Sequence, residues 1–193
     1  MNDRQTIGVL SFQGDFAAHA EALRRAGATP RFVRHIADLA DLDGLILPGG
    51  ESTTMLRFLQ AEPWFAAIRE FAAAGRPLLG TCAGAILLAR VVTHPAQTSL
   101  GLVDMTVRRN GYGRQVDSFT TTLTIPRLGP DPLELVFIRA PIIEAVGPGI
   151  EVLATWGDHP VWVCQGQIFA ATFHPEMTND ARIHQFVFGL NRP

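Results

Sequence analysis

The sequence predicts an α/β layered domain: a mainly parallel central sheet with helices on both faces, extended by antiparallel strands in its second half. Two observations carry this. Up to about Val92, short wholly apolar runs alternate with stretches of helical spacing, as buried parallel strands joined by helical crossovers require. Beyond it, helical spacing gives way to period-two alternation, as in the segment Thr120 to Ile125, broken by turn residues.

Taken in order, the run from Thr6 to Phe12 reads as a buried strand. Gln13, Gly14 and Asp15 turn it into a helix over residues 16–26, which Gly27 stops. Arg31 to Val33 is a short second strand, and Gly44 to Leu47 a third, closed by Pro48, Gly49 and Gly50. Ser52 or Thr53 is expected to cap the next helix, through about Gln60. Pro63 and Trp64 open another, to Ala74, with Gly75 past its end. Residues 77–80 form the fourth strand, and a helical run from Ala85 to Ala89 follows. Further strands are expected at Leu135 to Ile138, Glu151 to Ala154, Val161 to Cys164 and Ile168 to Phe173, with turns at Gly157-Asp158 and Gln165-Gly166. A helix from Met177 to Leu190 closes the chain. No repeat or linker divides the sequence, so residues 1–193 are expected to form one domain.

Composition narrows the function. Hydrophobic residues at 47% against 18% charged describe a globular protein with a substantial core. A net charge of -2 offers no surface for tracking nucleic-acid phosphates or adhering to a membrane. No apolar stretch approaches the ~18 residues of a membrane span, and the first residues lead straight into a strand-like run without a signal-peptide pattern. Cys82 and Cys164 make no disulfide framework, which points to a reducing, cytoplasmic setting. No cluster has metal-ligand spacing, and neither a Walker A sequence nor Gly-x-Gly-x-x-Gly occurs, so no metal or cofactor is expected.

The chemistry centres on Gly80-Thr81-Cys82-Ala83-Gly84. An apolar strand, a sharp turn and a helix, with glycines two residues either side of a cysteine, make the nucleophile-elbow pattern with sulfur in place of oxygen. Cβ atoms at the glycine positions would collide with backbone, and the following helix directs its N-terminal amides at the thiol, which favours thiolate. The alternative is a tight turn that holds a small buried cysteine.

A nucleophilic cysteine needs a base, and the base an orienting group. Of six histidines, His19 is expected to be solvent-exposed on the first helix and His184 to lie on the polar side of the last. His35 and His94 fall in loop-like stretches and His159 in a turn. His174 differs, because it ends an apolar strand and precedes Pro175-Glu176. Proline restricts the residue before it to extended conformations, which holds the imidazole in place. Glu176 can then fold back on one ring nitrogen and leave the other to take the thiol proton. Pro175-Glu176 also suits the first turn of a helix, and both readings can hold together. In open α/β sheets, sites gather at the carboxyl ends of strands, where Cys82 and His174 both fall.

Two further stretches bear on substrate. Gly49-Gly50-Glu51-Ser52 at a strand end presents backbone amides that suit an oxyanion or a carboxylate, or simply begins a capped helix. Gln13-Gly14 ends the first strand, where an amide can reach the elbow. Residues 108–115 are polar and glycine-containing; they offer guanidinium groups to a carboxylate or form an exposed hairpin, and spacing does not decide. Arg139, at another strand end, carries the same ambiguity. Cys164, mid-strand, reads as inert packing.

Together these residues resemble the triad (class I) glutamine amidotransferases, whose three-layer fold is flavodoxin-like. Gly-Thr-Cys-Ala-Gly at 80–84 and His-Pro-Glu at 174–176 recur across that superfamily. Gly-Gly-Glu-Ser-Thr-Thr at 49–54 and Gly-Arg-Gln-Val-Asp-Ser at 113–118 are similar to one branch of it, the glutaminase subunits of pyridoxal 5′-phosphate synthases. The likeness runs from about Ile7 to the last helix. It implies Cys82 as nucleophile, His174 as general base and acid, and Glu176 as its orienting carboxylate. It implies glutamine contacts from Gly50, Glu51, Ser52, Arg109, Ile138 and Arg139, and an oxyanion or activation region at Gln13, Gly14 and Ala83. It also implies ammonia delivery to a separate synthase subunit in a hetero-oligomer making vitamin B6. Ser11-Phe12 and Gly111-Tyr112 depart from the branch's usual residues. Rival readings are a peptidase or a glutaminase serving a different synthase on the same scaffold, and a catalytically silent binding subunit.

Overall fold

The alternation of apolar runs and helical stretches folds into a twisted sheet with an apolar layer on each face. In a computed structural model, residues 4–109, 111 and 118–190 are described. Five strands form its parallel part: β1 (Thr6–Leu10), β2 (Thr29–Val33), β3 (Gly44–Leu47), β4 (Leu78–Thr81) and β12 (Ile168–Ala171), in the order β12-β4-β3-β1-β2. The antiparallel extension is β11 (His159–Gln165) on β12 and β10 (Glu151–Trp156) outermost. Side chains alternate between the layers: Leu45, Leu47 and Leu78 enter one apolar cluster, Ile46 and Leu79 the other.

Helices α2 (Ser52–Ala61), α3 (Trp64–Ala73) and α4 (Ala83–Leu88) contribute Met55, Leu59, Trp64, Ile68, Phe71 and Leu87 to the first layer. Helices α1 (Phe16–Ala26) and α5 (Arg182–Phe188) contribute Leu23, Ile183 and Val187 to the second. The first layer also holds a three-stranded sheet of β5 (Ala89–Thr93), β6 (Val103–Arg108) and β9 (Ile142–Val146). The second holds the hairpin-like pair β7 (Ser118–Leu123) and β8 (Leu133–Ile138). Among the described residues, no helix is long and apolar enough to cross a membrane.

The first helix keeps its predicted bounds, and Gly27 ends it in a left-handed cap at φ 95°. Four local expectations fail for physical reasons. The helix after β3 is capped by Glu51 rather than Ser52 or Thr53: its carboxylate accepts from the Thr53 and Thr54 amides, and Ser52 becomes the first helical residue. The elbow helix stops at Leu88, because Ala89, Val91 and Val92 pair with β6 instead. The closing helix is half the expected length. A 3-10 turn at Pro175–Met177 is followed by Thr178 and Asp180, whose side chains bond nearby amides and compete with helix, so α5 starts only at Arg182.

The fourth concerns His19 and His184, both expected at the surface and both fully buried, at 0% exposure. Helix α1 packs on α5, and the two histidines meet between them. The signal was present. His19 falls in the stripe of Phe16, Ala20 and Leu23, and His184 in that of Ile183, Val187 and Phe188, at helical spacing.

Candidate active site

Cys82 follows β4 and forms the N-cap of α4, at φ 48° and ψ −102°. That positive φ is costly for a residue with a Cβ, and the surrounding packing enforces it. The chain must reverse from strand to helix within one residue while α4 lies against β3. A Cβ on Gly84 would land on the Leu47 carbonyl oxygen. Replacing Gly84 by alanine is therefore expected to destabilise the protein by about 1–3 kcal/mol, read from its urea midpoint.

Strand β12 lies beside β4 in parallel register, so the segment after Ala171 leaves the sheet next to the elbow. The Cys82 amide donates to the Ala171 carbonyl at 2.8 Å, tying the two strand ends together. His174 and Glu176 follow, 3% and 4% exposed. Nδ1 of His174 bonds Glu176 Oε1 at 2.7 Å. Pro175 opens a short 3-10 turn over residues 175–177 rather than the final helix, which starts only at Arg182. Gly49 backs the imidazole so closely that a Cβ there would meet its Cε1 carbon at 2.5 Å.

Asp15 Oδ2 stands 3.7 Å from the same Nδ1, a neighbour that spacing along the chain did not announce. Asp15, His174 and Glu176 thus bring ligand-capable atoms within 4.8 Å of one another. The short His174–Glu176 bond already accounts for that closeness as an imidazole–carboxylate pair.

The pair's electrostatics suit a proton carrier. Burial by itself would lower the His174 pKa, but interaction with the Cys82 thiol and the Glu176 carboxylate pushes it up to about 10. Burial raises Glu176, and its bond to His174 works against that rise. Nε2 of His174 lacks a geometrically complete hydrogen bond among the described residues. The Cys82 sulfur instead makes a 3.8 Å contact with the Ile138 carbonyl. The thiol is thus near enough to act on the ring's titration without closing the bond, a looseness common in unliganded sites.

In front of the sulfur lies a small cleft of about 60 Å³, open on one side to solvent. Six residues expected to touch substrate line it: Gly50, Glu51, Ser52, Arg109, Ile138 and Arg139, together with Cys82 and Ile86. Arg139 reaches it from the end of β8 through a strained φ of 43°. Arg109 follows β6 and donates to Thr53 Oγ1 at 3.0 Å, with Glu51 Oε1 at 3.5 Å. Burial opposes ionisation of Glu51, but hydrogen bonds from Thr53 and Thr54 hold its carboxyl down at about 2. Ser52 Oγ donates to Gln97 Oε1 at 3.2 Å. Ile86, Gln97 and Asp15 fall outside the quoted motifs, so spacing along the chain does not single them out.

The three remaining expected residues lie outside the cleft lining. Gln13 accepts at Oε1 from the Glu51 amide at 2.9 Å, so it braces the substrate loop. Gly14 presses on Gly49, where a Cβ would strike the Gly49 carbonyl oxygen. Ala83 is the first residue of α4, so its amide is among those a helix leaves without an intrahelical partner. Gly111, one of the unusual pair, donates to the Ala140 carbonyl at 3.2 Å and so ties the Arg109 loop to the Arg139 segment. Tyr112 and residues 113–117 lie outside the described residues. Cys164 is buried in β11, and burial pushes its thiol up.

A cysteine, a histidine and a glutamate gathered at the carboxyl ends of two adjacent central strands of such a sheet define the class I glutamine amidotransferases. The chain belongs to the SNO glutamine amidotransferase family, whose profile matches residues 9–190. It is 55% identical over 183 residues to the pyridoxal 5′-phosphate synthase subunit PdxT of Solibacter usitatus, covering 92% of this chain and 95% of that one. It is 53% identical over 190 residues to the protein of the same name from Deinococcus radiodurans, covering 96% of each. A crystal structure of a glutamine amidotransferase matches with a TM-score of 0.90 at 45% identity, over 95% of this chain and 97% of that one. The PurLQS structure from Thermotoga maritima shares the fold at a TM-score of 0.68 and 17% identity, over 98% of this chain and 100% of that one.

Proposed function

We propose that this chain is a glutaminase, one domain over residues 1–193, that supplies ammonia to the synthase subunit of a cytoplasmic pyridoxal 5′-phosphate synthase. The observation that carries it is the convergence of Cys82 with Arg109 and Arg139 on one cleft, backed by the His174–Glu176 pair. Relatives named as subunits of that synthase supply the partner. Neither nucleic acid nor membrane is part of this reading.

The Cys82 thiolate attacks the side-chain carboxamide carbon of L-glutamine. Backbone amides near Gly50 and Ala83, with Gly14 as a further contributor, hold the resulting oxyanion. His174, protonated at Nε2, gives its proton to the departing nitrogen as the C–N bond breaks and ammonia leaves. The acyl group remains on sulfur as a thioester. His174 then takes a proton from water as that water adds to the thioester; the C–S bond breaks, and glutamate leaves. Glu176 keeps the ring in the tautomer that this exchange needs and offsets the imidazolium charge.

In this reading Arg139 and Arg109 face the α-carboxylate, and Glu51 with its neighbours faces the α-ammonium end. Arg139→Met is therefore expected to raise KM for glutamine about tenfold to a hundredfold, the loss of a charge-assisted hydrogen bond worth about 1.5–3 kcal/mol. The test is glutamate release from glutamine by the chain mixed with a pyridoxal 5′-phosphate synthase subunit. Release of ammonia from peptides but not from glutamine would replace glutaminase with peptidase.

A further inference from the structure

The buried pair His19 and His184 has no part in the chemistry above, yet it touches it. Oε2 of Glu176, the oxygen turned away from His174, has no complete hydrogen bond among the described residues. The side-chain group in ionic reach of it is His19 Nε2, at 3.3 Å, with both side chains fully buried. That nitrogen also lies 3.0 Å from Thr81 Oγ1, in the residue before the elbow cysteine. On its other side, His19 Nδ1 lies 3.0 Å from His184 Nε2.

The proton positions along this row follow from counting donors. A neutral imidazole has one N–H, and a buried carboxylate oxygen needs a donor rather than a lone pair facing it. The Glu176 charge therefore selects the Nε2–H form of His19, which shares its proton between Glu176 Oε2 and Thr81 Oγ1. His19 Nδ1 is then an acceptor, and His184 must donate to it from Nε2. The leftover Nδ1 of His184 has no partner among the described residues, and a bare nitrogen there costs less than a buried N–H without an acceptor. Burial, then the neighbouring histidines, drives His19 well below its usual value, and burial followed by Arg25 lowers His184 to about 3. Both rings are thus neutral wherever the chain works. A neutral donor suits this place, because a second positive charge behind Glu176 would compete with the His174 imidazolium for it.

We propose that His19, held in its tautomer by His184, is a positioning residue: its Nε2–H, shared with Thr81 Oγ1, faces Glu176 Oε2 at 3.3 Å, keeping that carboxylate ionised and its other oxygen aimed at His174. This rests on the assignment of Cys82, His174 and Glu176 as the reacting set. The groups facing this set are Cys82 and Asp15 around His174, and His174, Asp15 and His19 around Glu176.

The test pairs two substitutions with a measurement on the unaltered chain. His19→Gln places an amide N–H near the Nε2 position, whereas His19→Leu fills the space without a donor. With the synthase partner present, the Leu variant is expected to lose roughly tenfold or more in kcat, out of the roughly 10²- to 10⁴-fold that acid–base catalysis contributes, with KM for glutamine within about twofold. The Gln variant is expected to recover most of that loss. In the Leu variant, alkylation of Cys82 by chloroacetamide is expected to shift to higher pH, since a less ionised Glu176 supports the thiolate–imidazolium pair less well. Full kcat and an unshifted alkylation profile in a folded Leu variant would overturn the proposal. So would equal losses in both variants that track their melting temperatures. Should the Leu variant not fold, ¹⁵N-histidine NMR of the unaltered chain decides: a neutral Nε2–H His19 is expected, and an Nδ1–H or doubly protonated ring refutes it. Failure of the reacting set itself would show differently, as no glutamate release and no Cys82 labelling in the unaltered chain, with the His19 tautomer untouched.

Discussion

Replacing Cys82 by alanine is expected to reduce glutamate release from glutamine by roughly 10⁴-fold or more, while the synthase assembly still forms product from added ammonium salt. Removing the nucleophile of a unit that acts together costs about as much as removing the whole unit, and what remains comes from binding and oxyanion stabilisation. The substitution is mild for the fold. Cys82 caps α4 without a side-chain hydrogen bond, so alanine removes a sulfur and no cap. The ammonium control separates loss of chemistry from loss of assembly. Glutamine hydrolysis that survived the substitution would sink the mechanism, and loss of ammonium-supported synthesis as well would place Cys82 in subunit docking.

Replacing His174 by alanine is expected to cost about 10²- to 10⁴-fold in turnover, the share of a positioned acid–base group. Alkylation of Cys82 by chloroacetamide should slow with it, because the imidazolium partner is gone. Stability should change with pH in a defined sense. His174 rises from 6.5 to about 10 on folding, so the folded state holds a proton that the unfolded chain releases. Its contribution is fully present below pH 6.5 and is lost as pH climbs toward 10. The melting temperature of the parent chain should therefore fall more steeply than that of the alanine variant across this window. Parallel melting curves would show that the ring gains no proton on folding.

Much of this site was legible along the chain because its parts are local. The elbow needs glycines at fixed distance from Cys82, and Gly84 has backbone where a Cβ would sit. The bond from His174 to Glu176 spans two residues, so proline chemistry and spacing were enough to anticipate it. What was misread depends on contacts distant in sequence. His19 and His184 are 165 residues apart, and each was assigned to water on its polarity alone. Their burial follows from α1 packing on α5, which brings two helical stripes together. The cap on α2 was misassigned because a glutamate just outside the helix outreaches two hydroxyls already in its first turn.

Arg109 and Arg139 mark the boundary most clearly. Taken alone, each was either a substrate cation or an exposed side chain at a strand end. They meet in one cleft because β6 and β8, on opposite faces of the main sheet, both end beside the elbow. The sequence by itself determined the α/β alternation, the elbow and the local His174–Glu176 pair, since periodicity, glycine sterics and proline restriction act within a few residues. Only the tertiary structure decided which cations face Cys82 and what stands behind Glu176, because those neighbours are set by sheet order and helix packing across most of the chain.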